Sequence, residues 1–350
     1  MKINLHIEIV RTTERGLSSM SQRSSDAILR VLKKYYTRVG VTIINDLSDL
    51  DDLVRVNPDL VFLGMKYLPR NKSVGMNDPD KLWIADFLEE NNILCTGSRS
   101  FAHELELNKQ YAKRRLLDLG LNTSSYFVTG YNDLISDDKM LIDYPLFVKP
   151  ANRGGGLGID SDSLVHDFSS LKSKVRAITK NLQSDSLVEE YLPGREFSVA
   201  ILKDKDTSDL LAMPIELVAD LNAQGESILS SEIKQSNTEK VIKVTDEIIK
   251  SEVIALAINA FQALGARDYG RIDIRLDKHG VPHFLEANLI PSIISGYGSF
   301  PKACVLNSGI QFTEMILSIV ELGLTRNIEI DEEAPQSMLL PLSVPIVDLA

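Results

Sequence analysis

In RIDIRLDKHGVPHFLEANLIP, residues 271–291, two apolar segments flank a polar turn and carry charged and amide side chains at spacings that could do chemistry. Side chains on a strand alternate between faces, so Arg271, Asp273 and Arg275 share one face and Glu286 and Asn288 share one face of the next strand. With Asp277 paired to Pro282 across a Lys278-His279-Gly280 turn, Asp273 falls opposite Glu286. Facing carboxylates destabilise a strand pair. A divalent cation would compensate them, because Mg²⁺ takes oxygen ligands, usually one or two carboxylates with substrate phosphates. A hairpin with one wet face, its carboxylates meeting water or Arg275, is the other reading these residues allow.

A second feature is the run NRGGGLGID after the strand PLFVKP. Gly154, Gly155, Gly156 and Gly158 would let backbone N–H groups wrap a phosphate with no Cβ in the way. The run lacks the Lys-Ser/Thr ending of a P-loop and does not open directly into a helix, so neither the P-loop nor the Rossmann fingerprint is met. A flexible hairpin turn is the alternative.

The elements that must position these residues follow from periodicity. Up to about Ser98, strands NLHIEIV, VTIIND, PDLVFLG and ILCTG alternate with helices at 24–39 and through KLWIADFLEE, which predicts a small doubly wound parallel sheet. A single helix, ELELNKQYAKRRLLDLG, ends at Gly120 as its C-cap. Strands SSYFVT and PLFVKP, the glycine run, a helix over 169–179 and the strand SLVEEYL follow. EFSVAIL begins a further sheet, interrupted by a polar stretch at 222–240 that reads as a lid loop. A helix over 246–264 precedes the hairpin, and IQFTEMILSIVELGL follows it. The predicted fold class is α/β, with segments 1–98, 99–192 and 193–327 as three units and 328–350 as an extended tail.

Composition limits the partners. At 350 residues the chain has room for two or three domains, and 44% hydrophobic with 25% charged residues describes an ordinary globular protein. A net charge of −11 argues against broad binding of nucleic acid or anionic membranes. Cys95 and Cys304 lie far apart, without metal-ligand spacing. The N-terminal MKINLHIEIV is an alternating strand rather than a signal peptide, and no apolar run is long enough to span a bilayer. A cytoplasmic location is expected.

Taken in order, Lys109, Lys149, the glycine run, Glu189 in VEEYLPGREFSVAIL, Glu196, then Arg271, Asp273, Glu286 and Asn288 resemble the ATP-grasp ligases, and among them the D-alanine–D-alanine ligase group. In element order the resemblance extends over about residues 3–324. It implies an ATP-grasp fold, with an N-terminal parallel-sheet domain and two grasp subdomains clasping ATP, and a homodimer. Lys109 and Lys149 then match lysines that meet the nucleotide phosphates, beside Gly154, Gly155 and Gly156. Glu189 matches the carboxylate at the adenine amino group, Glu190, Tyr191 and Leu192 the base-binding linker, and Glu196 the ribose ligand. Asp273, Glu286 and Asn288 match the ligands of Mg²⁺, for which Mn²⁺ could substitute. Arg271 matches the arginine that meets the oxyanion of the tetrahedral intermediate, aided by backbone near Ser292. Lys234 is a candidate γ-phosphate residue in the lid. Glu14, in TTERGLSS, matches the glutamate facing the first substrate's ammonium group, and Ser299 could meet the second substrate's carboxylate.

The implied reaction is attack of a substrate carboxylate on the γ-phosphate of ATP, then displacement of phosphate from the acyl phosphate by an amine. The chain departs from the pattern on the amino-acid side. A His-Gly-x-x-Gly-Glu-Asp-Gly segment is expected after PDLVFLG, and MKYLPRNKSVGMNDPDKLW stands there instead. Gly155 and Gly156 replace a Ser-Ser pair, and Ser292 replaces a glycine. Lys66, Arg70 and Lys72 could meet an extra carboxylate on a larger substrate. The expectation is therefore a ligase joining other amino acids, or an amino acid and a specialised metabolite. A true D-alanine–D-alanine ligase of cell-wall synthesis and a non-catalytic ATP-binding regulator are the rivals.

Overall fold

The computed structural model describes residues 1–14, 20–134, 136–219, 226 and 240–326. Lys234, nearly all of the expected lid and the tail lie outside the described residues. Three sheets of three or more strands organise the described residues.

The first is parallel, in the order β2-β1-β3, with β1 at Ile3–Arg11, β2 at Tyr36–Ile43 and β3 at Leu60–Leu63. Successive side chains of β1 go to opposite faces, so Ile7 and Ile9 enter one core and Val10 another. Helix α1 (Gln22–Tyr35) covers the first face. On the other lie α2 (Leu47–Val56) and α3 (Ile84–Glu90). The helix expected over 24–39 stops at Tyr35, because Tyr36 is buried and pairs with Ile3 as the first residue of β2. Helix α2 is an element the periodicity did not reveal; Asp46 and Asp49 form its capping box. The expected strand ILCTG reduces to a single bridge between Val61 and Cys95. Between β3 and α3, β4 (Tyr67–Leu68) and β5 (Leu82–Trp83) form a short hairpin.

The predicted helix ending at Gly120 is two helices, α4 (Ser100–Leu107) and α5 (Lys109–Asp118), broken at Asn108, which leaves helical backbone at ψ 83°. The second sheet follows in the order β6-β9-β7-β8, with β6 at Tyr126–Thr129, β7 at Leu146–Pro150, β8 at Leu164–Val165 and β9 at Ser186–Glu190. Helix α6 (Phe168–Leu182) lays Leu171, Val175 and Ile178, spaced by four and three, against Leu146, Val148 and Val188.

The third sheet is antiparallel, in the order β12-β11-β10-β13-β14. Its strands are β10 (Glu196–Lys203), β11 (Leu210–Val218), β12 (Lys240–Lys243), β13 (Tyr269–Leu276) and β14 (Pro282–Asn288). Helix α7 (Glu247–Ala263) buries Val253, Ala257 and Ala260 against Phe197, Val199, Ile272 and Ile274. That leaves Ser198, Arg271, Asp273 and Arg275 for the other face. Helices α8 (Ser299–Ser308) and α9 (Phe312–Leu324) follow. Although α9 belongs to the C-terminal segment, it packs on the first sheet: a Cβ on Gly323 would stand 2.8 Å from Leu60. Among the described residues, no single helix is long and apolar enough to cross a membrane.

Candidate active site

Strands β13 and β14 bring Asp273 opposite Glu286 and Arg271 opposite Asn288. The predicted facing of the two carboxylates holds, but the register behind it differs. Leu276, not Asp277, pairs with Pro282, and the shift of one residue is absorbed between Asp273 and Ile274. Phe284 pairs with Ile274 and Glu286 with Asp273, so Leu285 is the extra residue of a β-bulge. Its consequence is that Leu285 and Glu286 both face the cleft while Phe284 and Ala287 both enter the core.

Asp273 is held on both oxygens. Oδ1 accepts from Ser198 Oγ at 2.9 Å and Oδ2 from Arg271 Nη2 at 2.8 Å. Ser299, first residue of α8, stands within 3.1 Å of Ser198 Oγ and 3.5 Å of Arg271 Nη1, so Arg271, Asp273, Ser198 and Ser299 form one network. Asp273 and Glu286 push Arg271 above its ordinary value against the effect of burial.

Across the cleft, Lys149 on β7 donates to Glu189 Oε2 at 2.7 Å. Glu189 Oε1 takes Lys113 of α5 at 2.6 Å and Ser124 Oγ at 3.0 Å. Burial opposes ionisation, but the two ammonium groups dominate and hold Glu189 down to about 2. Each carboxylate oxygen offers two lone pairs, so Oε2 keeps one for a further donor. Burial pulls Lys109, which donates to the Arg153 carbonyl, down to about 8.

The linker after β9 is anchored by Arg275. Its guanidinium donates to Glu196 Oε2 at 3.1 Å, to Tyr191 OH at 2.9 Å and to the Gly194 carbonyl at 3.2 Å, and lies 4.9 Å from the Tyr191 ring centroid. Lys149, Glu189, Glu190, Tyr191, Leu192, Glu196, Asp273 and Glu286 thus line one cleft. Phe147, Ile159 and Leu285 add apolar walls. Phe147 was legible, since it lies two residues before Lys149 on β7 and shares its face. Arg275 likewise shares the face of Asp273. Leu285 was not, because the bulge breaks the alternation.

The other expected residues lie around this cleft. Gly154 and Gly155 are exposed, with nothing within 4 Å of a Cβ built on either, and Gly155 has φ +66°. Such backbone suits close approach by a ligand. Gly158 instead packs on Pro150 and Leu182. Ser292 stands against Gly298 in the turn before α8. Glu14 is exposed at the end of β1 and is not among the residues lining the cleft. Of the three cations proposed for an extra carboxylate, Arg70 and Lys72 are exposed, whereas Lys66 is buried and paired with Glu106 at 2.7 Å. Lys66 is therefore engaged within the protein.

The donor set fits a hard cation. Asp273 and Glu286 face each other, and Asn288 Oδ1 is buried with no hydrogen-bond partner. Two carboxylates and an amide oxygen are an oxygen-only set that leaves positions for phosphates.

Three sheets arranged this way, with Lys149 and the facing Asp273 and Glu286 in the cleft between the second and third, define an ATP-grasp protein. Residues 118–321 match the family model described as "D-ala D-ala ligase C-terminus". The D-alanine–D-alanine ligase of Nitrosococcus oceani is 30% identical over 248 residues, 69% of this chain and 73% of that one. Uncharacterized protein y4sG of Sinorhizobium fredii is 28% identical over 244 residues, 69% of each chain. The crystal structure of the D-alanine–D-alanine ligase of Bacillus anthracis complexed with ATP shares the fold, with a TM-score of 0.69 at 20% identity over 91% of this chain and 97% of that one. The chain belongs to the D-alanine–D-alanine ligase family of ATP-dependent ligases, which form ADP and phosphate.

Proposed function

We propose that this protein is an ATP-dependent carboxylate–amine ligase that joins amino acids, or an amino acid and a related metabolite, through an acyl phosphate. The observation that carries the reading is Asp273 facing Glu286 beside Arg271, in a cleft that also holds Lys149. The apolar walls Phe147, Ile159 and Leu285 receive the adenine, Glu189 Oε2 and the linker meet its edge, and Glu196 meets the ribose. Lys109, Lys149 and the amides of Gly154, Gly155 and Gly156 bind the phosphates. Asp273, Glu286 and Asn288 would hold Mg²⁺, which offsets charge on the β- and γ-oxygens when bound.

Positioning does most of the remaining work. Arg271, held by Asp273 and next to Ser299, presents a fixed guanidinium to the oxyanion that develops when the amine attacks. Ser299 orients the carboxylate of the second substrate, and backbone near Ser292 supplies further donors. Glu14 receives the ammonium group of the first.

Substrates other than two D-alanines are favoured by the altered segment after β3, which forms the β4–β5 hairpin and buries Lys66. A D-alanine–D-alanine ligase in the strict sense is the second reading, favoured by the 30% identity to the Nitrosococcus enzyme. Phosphate release over a panel of L- and D-amino acids and dipeptides, with mass spectrometry of products, decides between them. Poor release with D-alanine alone and better release with another acid or a mixed pair is expected. D-alanine alone as the best substrate establishes the second reading. ATP hydrolysis without any dependence on an amino acid or carboxylate overturns both.

A further inference from the structure

Lys113 has no part in the roles above, yet it is among the largest fully buried side chains of the protein. It follows Lys109 by one turn of α5 and reaches under the cleft rather than into it, since Glu189, Lys149 and Ser124 line the cavity and Lys113 does not. Its ammonium stands 2.5 Å from Thr123 Oγ1, 2.9 Å from Ser124 Oγ and 2.6 Å from Glu189 Oε1.

The protonation state follows from where the hydroxyl protons go. Thr123 donates its proton to the Phe284 carbonyl at 3.0 Å, and Ser124 donates its own to Glu189 Oε1 at 3.0 Å. Both hydroxyls must therefore accept from Lys113, as must the carboxylate. Three acceptors require three protons on Nζ, so Lys113 is an ammonium ion. Burial pulls it below the ordinary lysine value and Glu189 opposes that pull; the hydrogen bonds identify the form that is present.

The charges can then be counted. Glu189 and Lys149 alone would form a neutral pair, with the lysine's charge spent on its neighbour. With Lys113 on the far side of the same carboxylate, one positive charge remains, and Lys149 is the cation of the trio that lines the cavity with Asp273 and Glu286. We propose that Lys113 is a positioning residue for nucleotide binding: it takes up the charge of Glu189, so that Lys149 meets the nucleotide phosphates with its own charge uncompensated. The inference rests on the nucleotide site proposed above and deepens it.

Binding of ATP and of adenosine to the full chain, measured by calorimetry on wild type, K113M and K113M/E189Q, tests this. Adenosine has no phosphates, so the ratio of the two affinities isolates the charge effect from any change in base binding. K113M is expected to lower the ATP-to-adenosine ratio about tenfold, the scale of one charge-assisted contact. K113M/E189Q removes one charge of each sign, so its ratio is expected within about threefold of wild type, as between species of equal net charge. Equal losses of ATP and adenosine in K113M, or a double variant whose ratio is as poor as that of K113M, overturns the proposal and leaves Lys113 a structural ion-pair partner. Should K113M fail to fold, the double variant decides alone, since it leaves no buried charge unpaired against Glu189: a preserved ratio supports the proposal and a collapsed one overturns it. Wild-type protein that binds no ATP would overturn the nucleotide reading itself, a result distinct from failure of the Lys113 role.

Discussion

Asp273 on β13 faces Glu286 on β14 because Leu285 is taken up as an extra residue, which turns two consecutive side chains of β14 toward the cleft. Asp273 is already bonded to Arg271 and Ser198. E286Q removes one charge from the facing pair while keeping the shape. Ligation should fall about 100-fold or more, the scale of losing several kcal/mol of charge stabilisation, and Mg²⁺ should be needed at higher concentration. The melting temperature should hold or rise, since a carboxylate repulsion is relieved. Near-normal turnover in the folded variant sinks the assignment.

Arg275 joins Tyr191, Gly194 and Glu196, so it sets the linker that the base and ribose are proposed to meet. R275M should raise the KM for ATP about ten- to a hundredfold, corresponding to loss of a charge-assisted hydrogen bond of about 1.5–3 kcal/mol, with a smaller change in kcat. Steady-state kinetics at varied ATP checks it, and an unchanged KM in a folded variant counts against the linker role.

Lys109 is pulled down to about 8 by burial. Phosphates bind the protonated form, so the affinity for ATP should be full below pH 8 and weaken as pH rises through that value. The free protein shows the opposite linkage. Between pH 8 and the ordinary lysine value near 10.4 the unfolded chain binds the extra proton, so this group's contribution to stability improves as pH rises. A profile of the KM for ATP from pH 7 to 9.5 should bend near 8 in wild type and lose the bend in K109R. A straight wild-type profile would remove Lys109 from the phosphate site.

Glu106 accepts from Lys66 at 2.7 Å, from the Leu289 amide at 3.0 Å and contacts His103 at 3.1 Å. Burial opposes its ionisation, yet Lys66 and His103 hold it down to about 2. Breaking a buried pair strands a charge, so K66M should destabilise the fold by about 3–5 kcal/mol and leave the ranking of substrates unchanged. Denaturant unfolding and the amino-acid panel read the two effects. A stable variant with an altered ranking would return Lys66 to substrate recognition.

Much of the nucleotide side was legible in the sequence because it is written in local alternation. Lys149 and Phe147 share a face of one strand, Glu189 lies near the end of another, and Arg271, Asp273 and Arg275 follow at spacings of two, a period that burial of the intervening apolar residues imposes. The order of these residues along the chain carried the family. What depends on packing was not legible. The bulge at Leu285 compensates a turn one residue longer than expected, and only pairing across β13 and β14 reveals either shift. Tyr36 continues a helical pattern in sequence but is claimed by Ile3 as a strand partner. Lys66, Lys113 and Glu106 are ordinary charged residues in a one-dimensional reading. Burial gives them their roles, because a charge removed from water must find a partner, and those partners come from segments 40, 76 and 183 residues away: Glu106 for Lys66, Glu189 for Lys113 and the Leu289 amide for Glu106.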